Sequence, residues 1–325
     1  MTSIAVQVET ATRTSALNTE KNANGQVKRL HHIPRPATKE AERRWLLGQM
    51  AAAFRIFAKL GFADGSSGHI SLRDPIEPHT FWINPYAVHF ALLKVSDMVR
   101  VDEKGKWVDG ADKPVNAAGF MIHSAIHKRR PDIHAACHMH SPYGRAWSTF
   151  GKGIEMLNQG ITPLTISPAQ LLVPSMVLGQ IYNAFSAKFE ITDSCMFYDD
   201  LSVYPAFGGV VFAQEEGERI ADYLGTKNKN LIMQNHGLLT AGGTVAEAAA
   251  FFIALERACQ TQLLVEASVA PGSIGHSIGE IKKTFVDNET ARYTKEGTGS
   301  PGAMYMQFEP EYQLLLKETN GEFLQ

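Results

Sequence analysis

Two histidines separated by one residue form the part of this sequence best suited to chemistry. His138 and His140 stand at the end of a short apolar run, Ile133–Met139, which is bracketed by Pro131 and Pro142. Such a run is typical of a buried strand, on which alternate side chains share a face. The two histidines would then lie about 6 to 7 Å apart at the backbone and could bind one metal ion. Alternatively, one or both imidazoles only form hydrogen bonds in the core.

Metal binding by this pair would require a third ligand, and His236 is the candidate. It stands in the tripeptide Asn235-His236-Gly237, between two short strand-like runs. At this point the spacing alone leaves both interpretations of the histidine pair open.

Composition restricts the classes of function. The chain has 325 residues, of which 44% are hydrophobic, and a formal charge of −2 with a pI near 6.6. These totals give no basic surface, so we do not expect nucleic acid as a partner. Three scattered cysteines fit a reducing compartment. No apolar run approaches the ~18 residues of a membrane helix, and the N-terminal residues lack the apolar core of a signal peptide. We therefore expect a cytoplasmic protein without a membrane partner.

Periodicity and turn residues predict one α/β domain over residues 37–270, with a mixed or mostly antiparallel sheet. Residues 1–36 are polar and are predicted to form a disordered arm. Residues 271–325 are expected to form a tail that packs on the domain, with a closing amphipathic piece at Tyr312–Leu316. The predicted helices are Thr38–Leu60, Asn116–Lys128, Ser141–Phe150, Glu215–Leu224 and a long helix after Thr244. The predicted strands include a hairpin around Glu103-Lys104-Gly105, Phe197–Asp200, Gly209–Phe212 and Leu231–Met233.

Five stretches of the chain occur in the order seen in the class II aldolase/adducin family. The chain resembles that family over residues 40 to 268, apart from an interruption at 160–192. The stretches are Gly68–Pro75 (GHISLRDP), Ile83–Tyr86 (INPY), Asn116–Asp132 (NAAGFMIHSAIHKRRPD), Ala136–Ala146 (ACHMHSPYGRA) and Gln234–Ala248 (QNHGLLTAGGTVAEA).

This resemblance implies a three-layer α/β/α sandwich with a central, mixed and largely antiparallel sheet. Enzymes of the family bind zinc or another divalent metal through three histidines, which here are His138, His140 and His236. The resemblance thus makes Zn²⁺ the expected cofactor, with Fe²⁺ as the alternative, and a small molecule the expected substrate. Many family members are tetramers with active sites between subunits, so a homo-oligomer is expected.

Three parts of the family's phosphate-binding site are altered in this chain. Sugar-phosphate aldolases carry Ser-Ser-Glu, with the Glu as acid/base, where this chain has Ala117–Gly119. The family's Gly-Asn-Ile-Ser is changed by His69. Its Thr-Pro-x-Gly turn corresponds to Asn84–Ala87, which lacks the glycine that lets backbone approach an anion. The departures imply a substrate without a phosphate group.

Without a carboxylate at position 119, another group must move protons. A metal-bound water could do so, as could any of four side chains that are more often structural than catalytic: His69, Tyr198, Asp199 and Tyr305. Four polar residues are expected to line the substrate pocket: Ser67, His69, Asn84 and Asn116.

The region 160–192 is apolar, carries three prolines and shows no clear period. Joining Gln159 directly to Asp193 gives a continuous sequence that resembles that of the family. We therefore interpret the region as an insertion, either from an unspliced intron or acquired late, with a genuine lineage-specific loop as the alternative.

Three functions remain open. The first is a metal-dependent lyase that performs aldol cleavage or decarboxylation on a non-phosphorylated carbonyl or carboxylate compound. The second is a non-haem Fe(II) oxygenase, because a related bacterial group is described as such. The third is a non-catalytic binding module like the adducin head. Retention of all three histidines favours an enzyme, and the absence of an adducin-like long basic tail in this sequence weighs against the third.

Overall fold

The computed structural model describes residues 19–21, 27–29, 33–158, 194–209, 214–273 and 281–325, in two separate units that divide after Pro34. In the first unit, strands β1 (Thr19–Lys21) and β2 (Val27–Arg29) pair in antiparallel fashion. The sequence predicts a disordered arm here, and this short hairpin departs from that prediction. Its six residues carry no apolar pattern from which a strand could be predicted.

The second unit is built on a sheet of eight strands. Every neighbouring pair is antiparallel except β8 and β9, in the order β6-β5-β4-β3-β7-β10-β9-β8. The predicted mixed, largely antiparallel sheet is thereby confirmed. The strands are β3 (His69–Arg73), β4 (Thr80–Ile83), β5 (Val99–Asp102), β6 (Trp107–Gly110), β7 (Ala135–Met139), β8 (Leu201–Tyr204), β9 (Asn230–Met233) and β10 (Gly237–Gly242).

Seven α-helices occur in the described residues. Two begin at the caps that the sequence indicates: the Thr38 hydroxyl accepts the N–H of Ala41, and the Thr244 hydroxyl accepts the N–H of Glu247. None of these helices is long and apolar enough to span a membrane. They are α1 (Lys39–Lys59), α2 (Ala117–Arg129), α3 (Pro142–Ser148), α4 (Gln214–Leu224), α5 (Val245–Val269), α6 (Asn288–Thr298) and α7 (Pro301–Thr319).

One face of the sheet is covered by α2 and α4. Ile122 and Ile126 of α2 pack with Ile220 and Leu224 of α4 and with Leu239 of β10, and all five are buried. At roughly 2 kcal/mol for each fully buried side chain of this kind, the burial firmly attaches α2 to the sheet. That attachment matters because the first turn of α2 borders the site described below.

The opposite face is covered by α1 and α5. The Thr240 hydroxyl of β10 donates to the Ala248 carbonyl at 2.7 Å, and the rings of Phe57 and Phe252 join α1 to α5 at 5.3 Å between centroids. Helices on both faces of one sheet confirm the predicted three-layer α/β/α arrangement.

The connection from α1 to β3 is held by a buried carboxylate. Asp74, directly after β3, accepts two hydrogen bonds from the Arg43 guanidinium of α1, at 2.6 and 2.8 Å. It also accepts one from the Trp82 indole N–H of β4 at 2.6 Å. Asp74 therefore has a structural role, since its side chain lies away from the pocket described below.

One predicted strand needs correction, and a second falls largely on residues that the structure does not describe. Phe197–Asp200 is not a strand: Ser194–Phe197 is a turn of 3₁₀-helix, and Asp199 has a φ of 54°, which breaks an extended chain before β8. The predicted strand Gly209–Phe212 lies mostly outside the described residues.

The C-terminal region is more helical than the amphipathic piece at Tyr312–Leu316 suggests, because α6 and α7 occupy most of it. Glycines and prolines around the start of α7 obscure the helical period, although Pro301 fits the first turn. The ring of Tyr305 on α7 lies 6.4 Å from that of Trp45 on α1, so α7 packs against α1.

The interruption at 160–192 lies outside the described residues, but the chain on either side of it meets. The Ser194 hydroxyl accepts the N–H groups of Leu157 and Asn158, at 3.0 and 3.1 Å, and donates to the Asn158 carbonyl at 2.9 Å. The Ser194 N–H also donates to the Asn158 side chain at 3.2 Å. If Gln159 were joined to Asp193, Asn158 and Ser194 would be three positions apart, a separation that one turn spans.

We expect a variant that lacks residues 160–192 to fold as the full chain does. Because the flanking residues already contact each other, the deletion requires no rearrangement of the sheet. The measurement is thermal unfolding, with a midpoint within roughly 2 °C of the full-length value, which for a chain of this size is a change of about 1 kcal/mol. Loss of cooperative unfolding would show that the segment is an integral part of the domain.

Candidate metal centre

Three histidines converge where β7 meets the turn between β9 and β10. His138 is the fourth residue of β7, His140 follows the end of that strand, and His236 lies in the turn. Their ring centroids are 5.1 Å apart for His138 and His140, 4.8 Å for His138 and His236, and 4.9 Å for His140 and His236. One nitrogen from each ring lies within 4.8 Å of the other two. The three residues singled out from sequence are thus brought together.

The backbone of Asn235 and Gly237 explains how His236 reaches its neighbours. Asn235 adopts a left-handed conformation with φ 56°, which asparagine tolerates better than most residues. A Cβ on Gly237 would lie 2.8 Å from the Met139 carbonyl oxygen, so only glycine allows β10 to start this close to β7. The Asn-His-Gly tripeptide is therefore a tight turn that places an imidazole beside the end of β7.

The three imidazoles are neutral at physiological pH. Burial lowers the pKa of His236 to about 4 and holds the pKa of His138 well below its usual value, with the neighbouring imidazoles adding to the effect. Burial also lowers the pKa of His140. His138 Nδ1 donates to the Leu238 carbonyl at 2.8 Å, which leaves its Nε2 lone pair for a ligand. Neutral imidazoles with a fixed tautomer are the donors that Zn²⁺ and Fe²⁺ accept, so this set fits a divalent ion.

A cavity of about 480 Å³ opens above the three histidines. Ser67, His69 and Asn116 line it as the sequence analysis expects. Asn116 also caps α2, because its side-chain oxygen accepts the N–H of Gly119 at 3.0 Å. Among the described residues, the lining of this cavity contains no charged side chain.

Asn84 is not a wall of the cavity. Its side chain is buried beneath the turn at Gly68, with the amide nitrogen 3.5 Å from the Gly68 carbonyl oxygen and 3.4 Å from that of Pro85. It thus supports the loop that carries Ser67 without facing a substrate. Tyr86 and Phe207, which the sequence analysis did not single out, do line the cavity. Tyr86 belongs to the family-like stretch Ile83–Tyr86, whereas no local sequence pattern pointed to Phe207.

Only one of the four proton-transfer candidates borders the cavity. His69 does so, whereas Tyr198, Asp199 and Tyr305 do not. The exposed Asp199 carboxylate pairs with Lys227, and Tyr305 belongs to the helical layer on the other side of the sheet. These three residues therefore do not line the cavity of the single chain, because sequence distance does not reveal which side of the sheet a residue occupies.

Position 119 shows why no side chain stands where sugar-phosphate aldolases carry glutamate. A Cβ on Gly119 would overlap the imidazole of His69, which fills that space. The ring of His69 in this position therefore requires a residue without a side chain at position 119.

The turn at Ala87 corrects another inference. Ala87 adopts the left-handed conformation, with φ 59°, in which glycine would be unstrained. The turn therefore forms without the family's glycine, at a cost of roughly 1 to 2 kcal/mol. The missing glycine therefore does not show that the backbone of this turn has changed its shape. A substrate without a phosphate group is supported instead by the uncharged lining of the cavity.

A second group of histidines lies buried behind the cavity, and it makes stability depend on pH. Burial lowers the pKa of both His123 and His127 to about 3. An unfolded chain binds these protons near pH 6.5. The stabilisation is therefore complete above about pH 6.5 and is lost as the pH falls towards about 3, at roughly 1.4 kcal/mol per pH unit for each group.

We expect the variant His127→Gln to weaken this pH dependence. The free energy of unfolding is measured by urea denaturation, with a chelator present, between neutral pH and about pH 5. As the pH falls, the variant should lose less of this free energy per pH unit than the original chain, by the contribution of about one bound proton. His79→Gln, at an exposed position, is the matched control and should keep the original slope. An unchanged slope in the first variant would contradict a buried, neutral His127.

Comparison with known proteins places these features in a family. The model described as Class II Aldolase and Adducin N-terminal domain matches residues 48–263. The solved structure of L-fuculose 1-phosphate aldolase from Glaciozyma antarctica PI12 is similar with a TM-score of 0.70 and 36% identity, over 90% of this chain and 96% of that one.

Three relatives match over most of their own length. The meiotically up-regulated gene 14 protein of Schizosaccharomyces pombe is 35% identical over 86% of this chain and 93% of its own. Decarboxylase NovR of Streptomyces niveus is 34% identical over 74% and 76%. The 4-hydroxy-3-prenylphenylpyruvate oxygenase/4-hydroxy-3-prenylbenzoate synthase of Streptomyces roseochromogenus is 35% identical over 73% and 74%. Because the family model matches residues 48–263, well over half of the chain, and relatives reach this level of identity, the chain belongs to the class II aldolase and adducin family.

Proposed function

We propose that this protein is a divalent-metal-dependent lyase that cleaves or decarboxylates a small carbonyl or carboxylate compound lacking a phosphate group. The observation that carries the proposal is the convergence of three neutral imidazoles, His138, His140 and His236, at the base of a cavity. Zn²⁺ is the expected ion. The family also leads us to expect a homo-oligomer, a tetramer in many members, and we expect it in the cytoplasm.

His138, His140 and His236 would hold a divalent ion through uncharged ligands, and the bound ion would supply Lewis acidity towards a carbonyl oxygen. The chain's own residues do the rest. The Leu238 carbonyl fixes the orientation of the His138 ring. Tyr86 and Phe207, both aromatic, border the cavity and offer an apolar surface to the rest of the substrate.

The uncharged lining supports a substrate without phosphate. A phosphate dianion is normally met by Lys, Arg or a helix N-terminus, and the described lining contains neither Lys nor Arg. Among the described helices, α2 contributes its first turn to the lining, and Asn116 already accepts the N–H of Gly119 there. The Glaciozyma relative is named for a phosphorylated sugar, so the assay below compares substrates with and without phosphate. Decarboxylase NovR is named for the other reaction type, loss of a carboxylate.

A second candidate function is a non-haem Fe(II) oxygenase. The relative from Streptomyces roseochromogenus bears an oxygenase name at 35% identity, and three histidines without a carboxylate also leave positions open on iron. A non-catalytic, adducin-like module is less well supported, because a binding surface does not require three convergent neutral imidazoles.

We expect His138→Ala to lose the metal ion. The original chain, purified without added metal, should carry about one ion per chain, and removing a ligand should weaken binding at least about 100-fold, given that loss of a mere supporting group costs 10- to 100-fold. His134→Ala, an exposed histidine four residues earlier, is the matched control and should retain the ion. Elemental analysis checks both variants, and full occupancy in His138→Ala would rule out this ligand set.

The activity test uses matched acids in four forms: 2-oxo acids and hydroxy-oxo acids, each with and without a phosphate group. The zinc-loaded protein should release carbon dioxide or a smaller carbonyl compound from the forms without phosphate, and a chelator should abolish the release. Oxygen uptake by the iron-loaded protein alone would replace the lyase with the oxygenase. Turnover confined to phosphorylated forms would contradict the proposed substrate class.

A further inference from the structure

A continuous chain of hydrogen bonds runs from the cavity into the core between β3 and α2. The His69 Nδ1 and His123 Nε2 atoms are 2.8 Å apart, and His123 Nδ1 lies 2.5 Å from the Ser71 hydroxyl. That hydroxyl lies 2.7 Å from His127 Nε2, and His127 Nδ1 lies 3.1 Å from the Ile133 carbonyl oxygen. The four side chains are at most 4% exposed.

The carbonyl at the inner end fixes the direction of every bond in the chain. It can only accept, so His127 Nδ1 carries the hydrogen and the neutral ring presents a lone pair at Nε2. The Ser71 hydroxyl then donates to His127 and accepts from His123 Nδ1. His123 Nε2 is left as an acceptor, so His69 must donate from Nδ1. The Nε2 atom of His69 is therefore a lone pair.

Burial keeps these rings neutral, as that direction requires. The pKa values of His123 and His127 are lowered to about 3 by burial. Burial and the imidazoles of His123, His140 and His236 hold the pKa of His69 well below its usual value. A doubly protonated ring in the chain would bring two donors face to face, so the core itself opposes it.

The outer end of the chain faces the candidate site. His69 lies directly opposite His138 in the pairing of β3 with β7, with the ring centroids 5.0 Å apart. Its Nε2 edge occupies the space that a Cβ on Gly119 would take, and both residues line the cavity. Among the described residues this nitrogen makes no hydrogen bond, whereas Nδ1 is fully committed to His123.

We propose that His69 contacts the substrate, with its unprotonated Nε2 accepting a hydrogen bond from a substrate hydroxyl, and that His123, Ser71 and His127 are positioning residues that hold it in this tautomer. The word substrate here rests on the proposed function. The aromatic cavity walls, Tyr86 and Phe207, make an aromatic hydroxy acid the chemical class that fits this acceptor.

The tautomer is tested first, by nitrogen-15 NMR of the histidine-labelled, metal-free full chain. His69, His123 and His127 should all carry the hydrogen on Nδ1, which is the less common form in free histidine. Ser71→Ala should release His69 into a mixture of both tautomers, and Ser71→Thr, which keeps the hydroxyl, should restore the single form. A hydrogen on Nε2 of His69 in the original chain would overturn the proposal, whatever the protein's function.

Ligand choice is tested next, with mandelate and phenylglyoxylate as probes of the zinc-loaded protein by calorimetry. Mandelate has a hydroxyl group where phenylglyoxylate has a carbonyl. Because Nε2 of His69 would accept a hydrogen bond from that hydroxyl, mandelate should bind roughly tenfold more tightly. His69→Phe should abolish that preference, and Ser71→Ala should reduce it, with the zinc content unchanged in both.

The outcomes separate this inference from the proposed function. Zinc bound without any preference for mandelate would overturn the role of His69 and leave the lyase proposal standing. Failure to bind zinc would overturn the metal-dependent lyase and the substrate contact together, whereas the NMR result would still decide the tautomer. If His69→Phe fails to fold, Gly119→Ala is the replacement, because its methyl group must displace the same ring, and the same loss of preference is expected.

Discussion

The pairing of β7 with β3 on one side and with β10 on the other is the constraint on which the site depends. This register puts His138 opposite both His69 and Leu239. A shift of one residue in either ladder would turn His138 towards the opposite helical layer. The close approach of Gly237 to the Met139 carbonyl then brings His236 to the same point. The candidate centre is thus a product of sheet geometry, with little freedom left to individual side chains.

The same register creates an electrostatic problem that shapes the surrounding chemistry. Five of the histidines, three at the base of the cavity and two behind it, have burial as the first cause of a lowered pKa. Such rings are stable when neutral and hydrogen-bonded, and they cannot serve as a cluster of cations. Neutral imidazoles can bind a metal ion or pass hydrogen bonds to each other. The three at the base of the cavity fit the first task, and the two behind it take part in the second.

One steric contact links positions 69 and 119, at both of which this chain differs from the family pattern. Because the ring of His69 occupies the space beside Gly119, no side chain can occupy position 119 while that ring stays in place. Among the described residues, the lining of the cavity therefore contains no carboxylate. Proton transfer by the side chains of the described lining must therefore use uncharged groups, because that lining contains no Asp, Glu, Lys or Arg.

The features that local sequence patterns encode could be predicted from the sequence. The alternation around His138, the caps at Thr38 and Thr244, and the family order predicted the sheet, the layers and the three histidines that converge. These patterns did not reveal His123 and His127, because their partners lie on β3 and only the packing of α2 over the sheet brings them together. Tyr305 was named as a weak proton-transfer candidate for the same reason, because no sequence spacing reveals on which face of the sheet a residue lies.

The most direct test of the central claim is X-ray diffraction from crystals of the metal-loaded protein at energies on both sides of the metal's absorption edge. The account predicts one anomalous peak per chain, about 2.0 to 2.1 Å from one nitrogen of each of His138, His140 and His236. A fully occupied peak elsewhere, or its absence from this point in protein shown to contain a stoichiometric ion, would contradict it.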